Sequence, residues 1–317
     1  MIEFLPGVFQ IETEMADNRL CLYLVCGQRT LLIDSGMRTT PDATVYPALT
    51  AAGMRSDVDL LLVSHADADH HGGNAAIRIG SPNIMILSHE ADRSRIESKA
   101  CHLRERYDEV VADNDVQYEP EMMAALSDMI GADSVVDVGL CGGETLGLGD
   151  GIRLEVLHTP GHTAGHLSVW HPEQRLLIIQ DAVLGGGVPN QSGEILSPPP
   201  YYDVVAYVET VKQLRSLNPE WLLTAHYPIM RGSEIPEFFA TSLAFVEQMD
   251  RIVLDAVHRA GRPLALSSLI DAVDERLGPF STRTQWIGPT LAHLHKHVRG
   301  GQIRVRTDGS NRTWEPT

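Results

Sequence analysis

The first third of the chain carries short apolar runs closed by glycine or by Asp-Ser-Gly: "GVFQIETE", "LCLYLVCG" and "QRTLLIDSG". Apolar runs at that spacing, with turn residues between them, predict three strands of an antiparallel meander. "TTPDATVYPALTAAGM" has a proline start, helical apolar spacing and a glycine stop, and predicts a helix. "DVDLLLVS" predicts a short buried strand, with "GGNAAIRIG" as a helix leading away from its end. Further strands are predicted at "NIMILSHE", "SVVDVGL", "IRLEVLHTPG", "HLSVWHP", "QRLLIIQDAV" and "EWLLTAHYP". The polar stretch from about Ala91 to Met129, rich in Glu, Arg, Ala and Met, reads as a helical insertion. The Gly- and Pro-rich stretch "LGGGVPNQSGEILSPPPYY" is long enough to be a functional loop. "DVVAYVETVKQLRSLN" predicts an amphipathic helix with Val205, Val208, Val211 and Leu214 near one face.

After "RGSEIPEF" the pattern shifts to three helical stretches and a terminal hairpin, "QIRVRTDGSNRTWEP", with Asp308-Gly309 at its turn. The chain therefore divides into a larger domain, residues 1–240 with its insertion at about 91–129, and a small winged-helix-like module, residues 241–317. The larger domain alternates strands and helices and belongs to the α/β class.

Composition narrows the functions on offer. The 317 residues are 43% hydrophobic and 21% charged, which suits a globular protein with a sizeable core. A formal net charge of -17 works against polyanionic partners such as nucleic acid. No apolar run reaches membrane-spanning length and no basic-then-apolar leader opens the chain, so the expected compartment is the cytoplasm. Cys21, Cys26, Cys101 and Cys141 form no CxxC pair, which points to neither a disulfide framework nor a thiolate metal site.

The chemistry concentrates in "SHADADHHGG", residues 64–73, directly behind a predicted strand. Imidazoles and carboxylates crowded together are costly to bury unless a cation neutralises them. One such cluster alone could still be a solvated loop. Three further strands, however, also end on a metal-ligand type: His162 in "HTPGHTAGH", Asp181 in "IIQDAV" and His226 in "LTAHYP". Packing alone gives no reason for that repetition.

In that order the motifs resemble the metallo-β-lactamase superfamily, whose first motif is H-x-H-x-D-H, followed by a His in T-P-G-H-T, a bridging Asp and a last His. The resemblance covers roughly residues 5–230 and implies an αββα sandwich with metals at one edge of its two sheets. It implies a first metal site of His65, Asp67 and His162 and a second of Asp69, His70 and His226, with Asp181 bridging. Asp34 in "LLIDSG" matches the family's early structural Asp and would support the ligands. The chain departs from the family in one place, with Asp67 where the motif has its second His. A harder oxygen ligand moves that site from zinc towards iron or manganese. The flavodiiron branch also carries a carboxylate there, but this chain shows no flavodoxin-like tail. The C-terminal module resembles the tail of some hydrolase members.

Two divalent ions, zinc first among the candidates, would activate a water for hydrolysis, and Asp69 could carry the proton to the leaving group. A small-molecule ester, lactone or thioester is the expected substrate, selected by the 91–129 insertion and the 184–202 loop. One alternative is a nucleic-acid phosphodiesterase using the C-terminal module, where residues 261–317 carry eight Lys/Arg against five Asp/Glu. The other is a diiron oxidoreductase. A homo-oligomer is compatible with all three. Tyr201 and Tyr202 either line the pocket or pack the loop, and His166 orients a ligand. His71, His89, His102, His158 and His171 take surface or hydrogen-bonded roles. His293, His295 and His297 alternate on a helix and are expected not to share a face, so no metal is assigned there.

Overall fold

Four layers build the larger part of the molecule in the computed structural model, which describes every residue except Ser281 and Ser310. In the first sheet, β1 (Ile2–Leu5), β2 (Val8–Met15), β3 (Asn18–Cys26) and β4 (Thr30–Ile33) are antiparallel neighbours. β5 (Leu60–Leu62), β6 (Met85–His89) and β7 (Val138–Leu140) extend it in parallel. Parallel neighbours need crossovers, and the helical segments after β4, β5 and β6 provide them. The chain continues through β8 (Thr145–Gly149), β9 (Ile152–His158), β10 (Leu167–His171), β11 (Leu176–Ile178), the short hairpin β12 (Val188–Pro189) and β13 (Ile195–Ser197), β14 (Trp221–Leu223) and β15 (Met230–Arg231). The second sheet has the order β15-β14-β11-β10-β9-β8.

β3 shows how the layers hold together. Cys21, Tyr23 and Val25 face the core between the sheets, against Leu154, Val156 and Val169. Leu20, Leu22 and Leu24 face the outer helices with Val45, Leu49 and Ile77. Successive side chains of a strand point to opposite faces, so burial on both sides demands the unbroken run "LCLYLVC". The second sheet is covered in the same way by helix Val204–Ser216 and the start of helix Glu234–Ala260.

Several elements differ from expectation. Helix Val204–Ser216 buries Val204, Tyr207, Val211 and Leu214, while Val205 is 48% exposed. Tyr207 anchors the face and rotates it by one residue from the predicted valine stripe. The strand expected over "SVVDVGL" is ordered as β7 only at Val138–Leu140, because Asp137 uses its carboxylate to accept from Ile86 N–H (2.8 Å) and Arg78 (2.8 Å). β8 was not expected, its glycines hiding a strand that pairs with β9 through an irregular register.

Helix Glu234–Ala260 runs unbroken for 27 residues across the expected 240/241 junction. Ile235, Phe238, Phe239 and Val246 belong to the core of the larger part, whereas Met249, Ile252, Val253 and Val257 belong to a separate core with Leu266, Leu269, Trp286 and Trp314. The helix stops at Gly261 in the left-handed conformation (φ 59°) that a C-terminal cap requires. Then follow β16 (Leu264–Ala265), helix Leu266–Leu277, helix Ile287–Arg299, β17 (Ile303–Asp308) and β18 (Asn311–Pro316), with sheet order β16-β18-β17. Of the expected Asp308-Gly309 turn, Asp308 ends β17 and Gly309 follows at φ 62°, while Ser310 after it is outside the described residues. The insertion forms helices Arg93–Glu97, Lys99–Leu103 and Pro120–Met129, and its Val110, Val111 and Tyr118 pack against the C-terminal core. Among the described residues no helix is long and apolar enough to cross a membrane.

Candidate metal centre

The predicted ligands converge from four strand ends. His65 follows β5, and the single turn Ala68–His71 then lifts Asp69 and His70 beside it. His162 lies in the turn after β9, Asp181 follows β11 and His226 follows β14. The last loop is held in register by β3: Cys21 N–H donates to the Ala225 carbonyl (2.8 Å) and the Tyr23 hydroxyl to the Thr224 carbonyl (2.7 Å).

Four imidazoles turn the same way. His70 Nδ1 meets the Asp34 carboxylate at 2.7 Å, His226 Nδ1 meets the Arg19 carbonyl at 2.8 Å, and His162 Nδ1 meets the Pro200 carbonyl. Each acceptor requires the proton on Nδ1. The Ser64 hydroxyl donates to Asp34 (2.8 Å), so its oxygen is left to accept from His65 Nδ1 (2.9 Å). All four Nε2 atoms therefore face inward, where each can give its lone pair to a cation in place of a proton, and the partner on the far nitrogen fixes that orientation.

The inward atoms form three overlapping groups: His65, Asp67 and His162; His65, His70 and Asp181; Asp69, His70 and His226. Asp67 Oδ2 lies 3.0 Å from His162 Nε2 and 3.6 Å from His65 Nε2. Asp69 Oδ2 lies 3.5 Å from His70 Nε2 and 3.8 Å from His226 Nε2, and Asp181 Oδ2 lies 3.5 and 3.3 Å from the same two atoms. Ligands about 2.0–2.2 Å from a common zinc ion have separations of this size. His65 Nε2, His70 Nε2 and Asp181 Oδ1 are buried with no hydrogen-bond partner among the described residues. Buried polar atoms are normally satisfied, and divalent cations at these points would satisfy all three. The donor set fits divalent cations.

Electrostatics agree with this. Burial opposes charge on His226, but Asp181 and Asp69 raise its pKa to about 9. His70 is likewise raised well above the imidazole range against burial by Asp69, Asp181 and Asp34. Burial, reinforced by His70 and His162, lowers His65. The pocket thus holds more carboxylate than it can bury uncompensated. Asp34, the expected supporting residue, is fully buried at φ 64° and accepts from Ser64 N–H (2.7 Å), His70 and Gln180 Nε2 (2.6 Å). A non-glycine residue at that φ is strained and persists where surrounding bonds over-determine it.

Sequence reasoning missed Arg106. Its guanidinium, 5% exposed, reaches in from the insertion and grips Asp67 with Nε at 2.8 Å from Oδ1 and Nη2 at 3.0 Å from Oδ2. Arg106 lies over the Tyr202 ring at 4.1 Å. Burial opposes ionisation of Asp67, but Arg106 and His162 hold it well below the usual carboxylate range. No motif marks an arginine in a polar helical stretch. Asp92 was missed too: buried, it accepts from Ala66 N–H (3.2 Å) and Gly165 N–H (3.1 Å) and joins the first motif to the His162 turn.

The other histidines sort by contact. His166 stacks on His65 (4.8 Å between centroids) with Nδ1 at 2.9 Å from Thr159 Oγ1, a supporting place. His71 and His102 are buried and paired at 3.3 Å, and His89 stacks on His158. The expectation for the C-terminal trio needs correction. His293 and His297 are four apart, share a helix face, and both reach Asp250. Tyr201 is fully buried and Tyr202 lines the cavity over the centre.

That cavity, of about 190 Å³, opens over Asp67 and Asp69. Tyr107, Tyr118, Met122 and Leu126 of the insertion form one wall, Pro200 and Tyr202 of the loop a second, and Gly288 and Pro289 of the C-terminal module a third.

Residues 17–226 match the sequence model of the metallo-beta-lactamase superfamily. The chain belongs to that superfamily. A "Beta-lactamase-like protein 2 homolog" of Caenorhabditis elegans is 31% identical over 64% of this chain, which spans about half (54%) of that protein's length. The "Acyl-coenzyme A thioesterase MBLAC2" of Gallus gallus is 27% identical over 70% of this chain and 76% of its own. Among solved structures, a metallo-beta-lactamase family protein from Thermus thermophilus superimposes with a TM-score of 0.77 at 20% identity, covering 99% of this chain and 100% of that one. The likeness of fold therefore extends through the C-terminal module. The αββα sandwich expected from the motifs is the architecture found.

Proposed function

We propose that this superfamily member is a binuclear metal-dependent hydrolase acting on a small carboxylic ester, lactone or thioester. The single observation that carries this reading is the common orientation of four histidines, each donating outward from Nδ1 and presenting Nε2 inward. His65, Asp67 and His162 would hold one ion, Asp69, His70 and His226 the other, and Asp181 both. Each site would offer two imidazoles and one carboxylate beside Asp181, a set that suits zinc, while the carboxylate of Asp67 in place of the superfamily's imidazole opens the first site to iron or manganese. Bound divalent ions supply positive charge for a developing oxyanion and lower the pKa of a water.

The chain's own residues supply the rest. Asp69 faces the cavity, pairs with no arginine among the described residues, and is the group we assign to hand a proton to a leaving alkoxide or thiolate. Arg106 fixes Asp67 in one rotamer. Tyr107, Tyr118, Met122 and Leu126 offer an acyl group a largely apolar wall and exclude water from it. A neutral acyl substrate suits that wall and a chain of net charge -17 better than a polyanion does. The resemblance to a protein named as an acyl-coenzyme A thioesterase supports including thioesters. The C-terminal module, which we read as winged-helix-like, closes the cavity rather than binding nucleic acid.

The test is metal analysis of protein purified without added metal, with a parallel screen of aryl esters, lactones, acyl thioesters and phosphodiesters. About two ions per chain and turnover of the carbonyl substrates are expected. Metal-free protein active on the same substrates, or turnover of phosphodiesters alone, would overturn the reading.

A further inference from the structure

The Pro200 carbonyl that accepts from His162 Nδ1 belongs to a loop tied at the next residue to the C-terminal module. The Tyr201 side chain is fully buried, and its hydroxyl lies 3.0 Å from His293 Nε2. His293 Nδ1 lies 2.9 Å from Asp250 Oδ1, which also accepts from Lys296 Nζ at 2.6 Å. A carboxylate can only accept from the ring, so His293 carries its proton on Nδ1 and its Nε2 accepts from the tyrosine. The loop is tied on its other side by Tyr202 N–H donating to the Gly161 carbonyl at 2.8 Å, next to His162. Pro198, Pro199 and Pro200 precede the tie, and fixed φ angles make that stretch stiff. A displacement of Tyr201 is therefore carried to the Pro200 carbonyl rather than absorbed.

We infer that Tyr201 and His293 are positioning residues for the metal centre, through which the C-terminal module sets the orientation of His162. This rests on the reading of His162 as a metal ligand. The module then does more than wall the cavity, because it holds the far end of a ligand's hydrogen bond. Partners one bond behind a metal ligand commonly change affinity by about 10–100-fold when lost, and Tyr201 acts one step further back.

Tyr201→Phe removes one oxygen and keeps the ring packed 4.8 Å from Tyr207. Zinc affinity by chelator competition should fall by about 10-fold, and the visible spectrum of the cobalt-loaded protein should shift. His293→Leu should act in the same direction, and the double variant should fall no further, since both break one chain. Tyr207→Phe is the control: its hydroxyl, in the same core, accepts from Leu184 N–H and bonds neither a proposed ligand nor the carbonyl that orients His162. It should keep the wild-type affinity and spectrum, which a general loss of packing would not allow. Two substitutions at opposite ends of the bond keep the test open should one fail to fold. Folded Tyr201→Phe or His293→Leu protein with unchanged zinc affinity and cobalt spectrum would overturn the inference while the wild type still binds zinc. A wild type that takes up no zinc would overturn the ligand reading itself, and the inference with it.

Discussion

Arg106 and Asp67 form a two-pronged pair, Nε to Oδ1 at 2.8 Å and Nη2 to Oδ2 at 3.0 Å, at the mouth of the candidate centre. The carboxylate that replaces the family's second histidine has thus come with its own counter-charge. Removing one partner of a buried pair leaves an uncompensated charge, at a cost of about 3–5 kcal/mol. Asp67→His alone should therefore destabilise the fold, because Arg106 would face an imidazole instead of a carboxylate. Asp67→His combined with Arg106→Met should recover stability and raise zinc affinity at the first site, the imidazole nitrogen being the better zinc ligand. Thermal melts and zinc titrations of the two singles and the double decide this, and strict additivity would show that the two side chains act independently.

His226→Ala tests the second site. His226 lies 3.3 Å from Asp181 and 3.8 Å from Asp69, and no other described imidazole can take its place. Loss of roughly one ion per chain and a fall in turnover of at least ~100-fold are expected, since a catalytic site rests on few protein ligands. Elemental analysis with parallel rate measurements checks both. Full metal content with full activity would remove His226 from the centre.

Much of this centre is legible in the sequence because its parts lie where strands stop. His65, His162, Asp181 and His226 each follow an apolar run, and a strand end is a place a one-dimensional pattern can mark. Arg106 is not legible, since it sits in a polar helical stretch of the insertion and meets Asp67 only through the fold. The Pro200 carbonyl, as a backbone atom, leaves no side-chain signature at all. On the second helix layer, period counting found the amphipathic helix but chose Val205 over Tyr207, because tyrosine reads as neither clearly apolar nor polar. His293 and His297 were passed over because three alternating histidines obscure the one pair that is four apart.

Gly288 tests the part the C-terminal module plays in the cavity. A Cβ built there would lie 3.0 Å from the Tyr202 ring, which in turn stacks under Arg106. Gly288→Val should push Tyr202 into the cavity without touching a ligand. Overpacking of this kind costs about 1–3 kcal/mol, and kcat/KM should fall by roughly 10-fold, mainly through KM. Metal content should stay at the wild-type level. Steady-state kinetics beside elemental analysis will tell, and an unchanged KM would place the substrate elsewhere.

The ion network at Asp250 has a pH signature of its own. Asp250 on helix Glu234–Ala260 faces His293, Lys296 and His297 on helix Ile287–Arg299, with His297 Nε2 at 3.2 Å. Burial opposes its charge, but hydrogen bonds from His293, His297 and Lys296 hold the carboxyl well below its ordinary range. Burial also opposes charge on His297, which Asp250 and Gln302 nevertheless raise above its ordinary value. His293, more deeply buried, is lowered by that burial. A depressed carboxyl stabilises the fold above its unfolded pKa, about 3.9, and loses that contribution as pH falls. A raised imidazole stabilises it below its unfolded pKa, about 6.5, and loses that contribution as pH rises. The two overlap between about pH 4 and pH 6.5. Asp250→Asn removes both, so its Tm deficit against the wild type should be widest in that window, roughly 3 °C, and shrink at pH 3 and at pH 9. Melting curves of both proteins across that range check it, and a deficit independent of pH would mean that Asp250 acts through packing instead of charge.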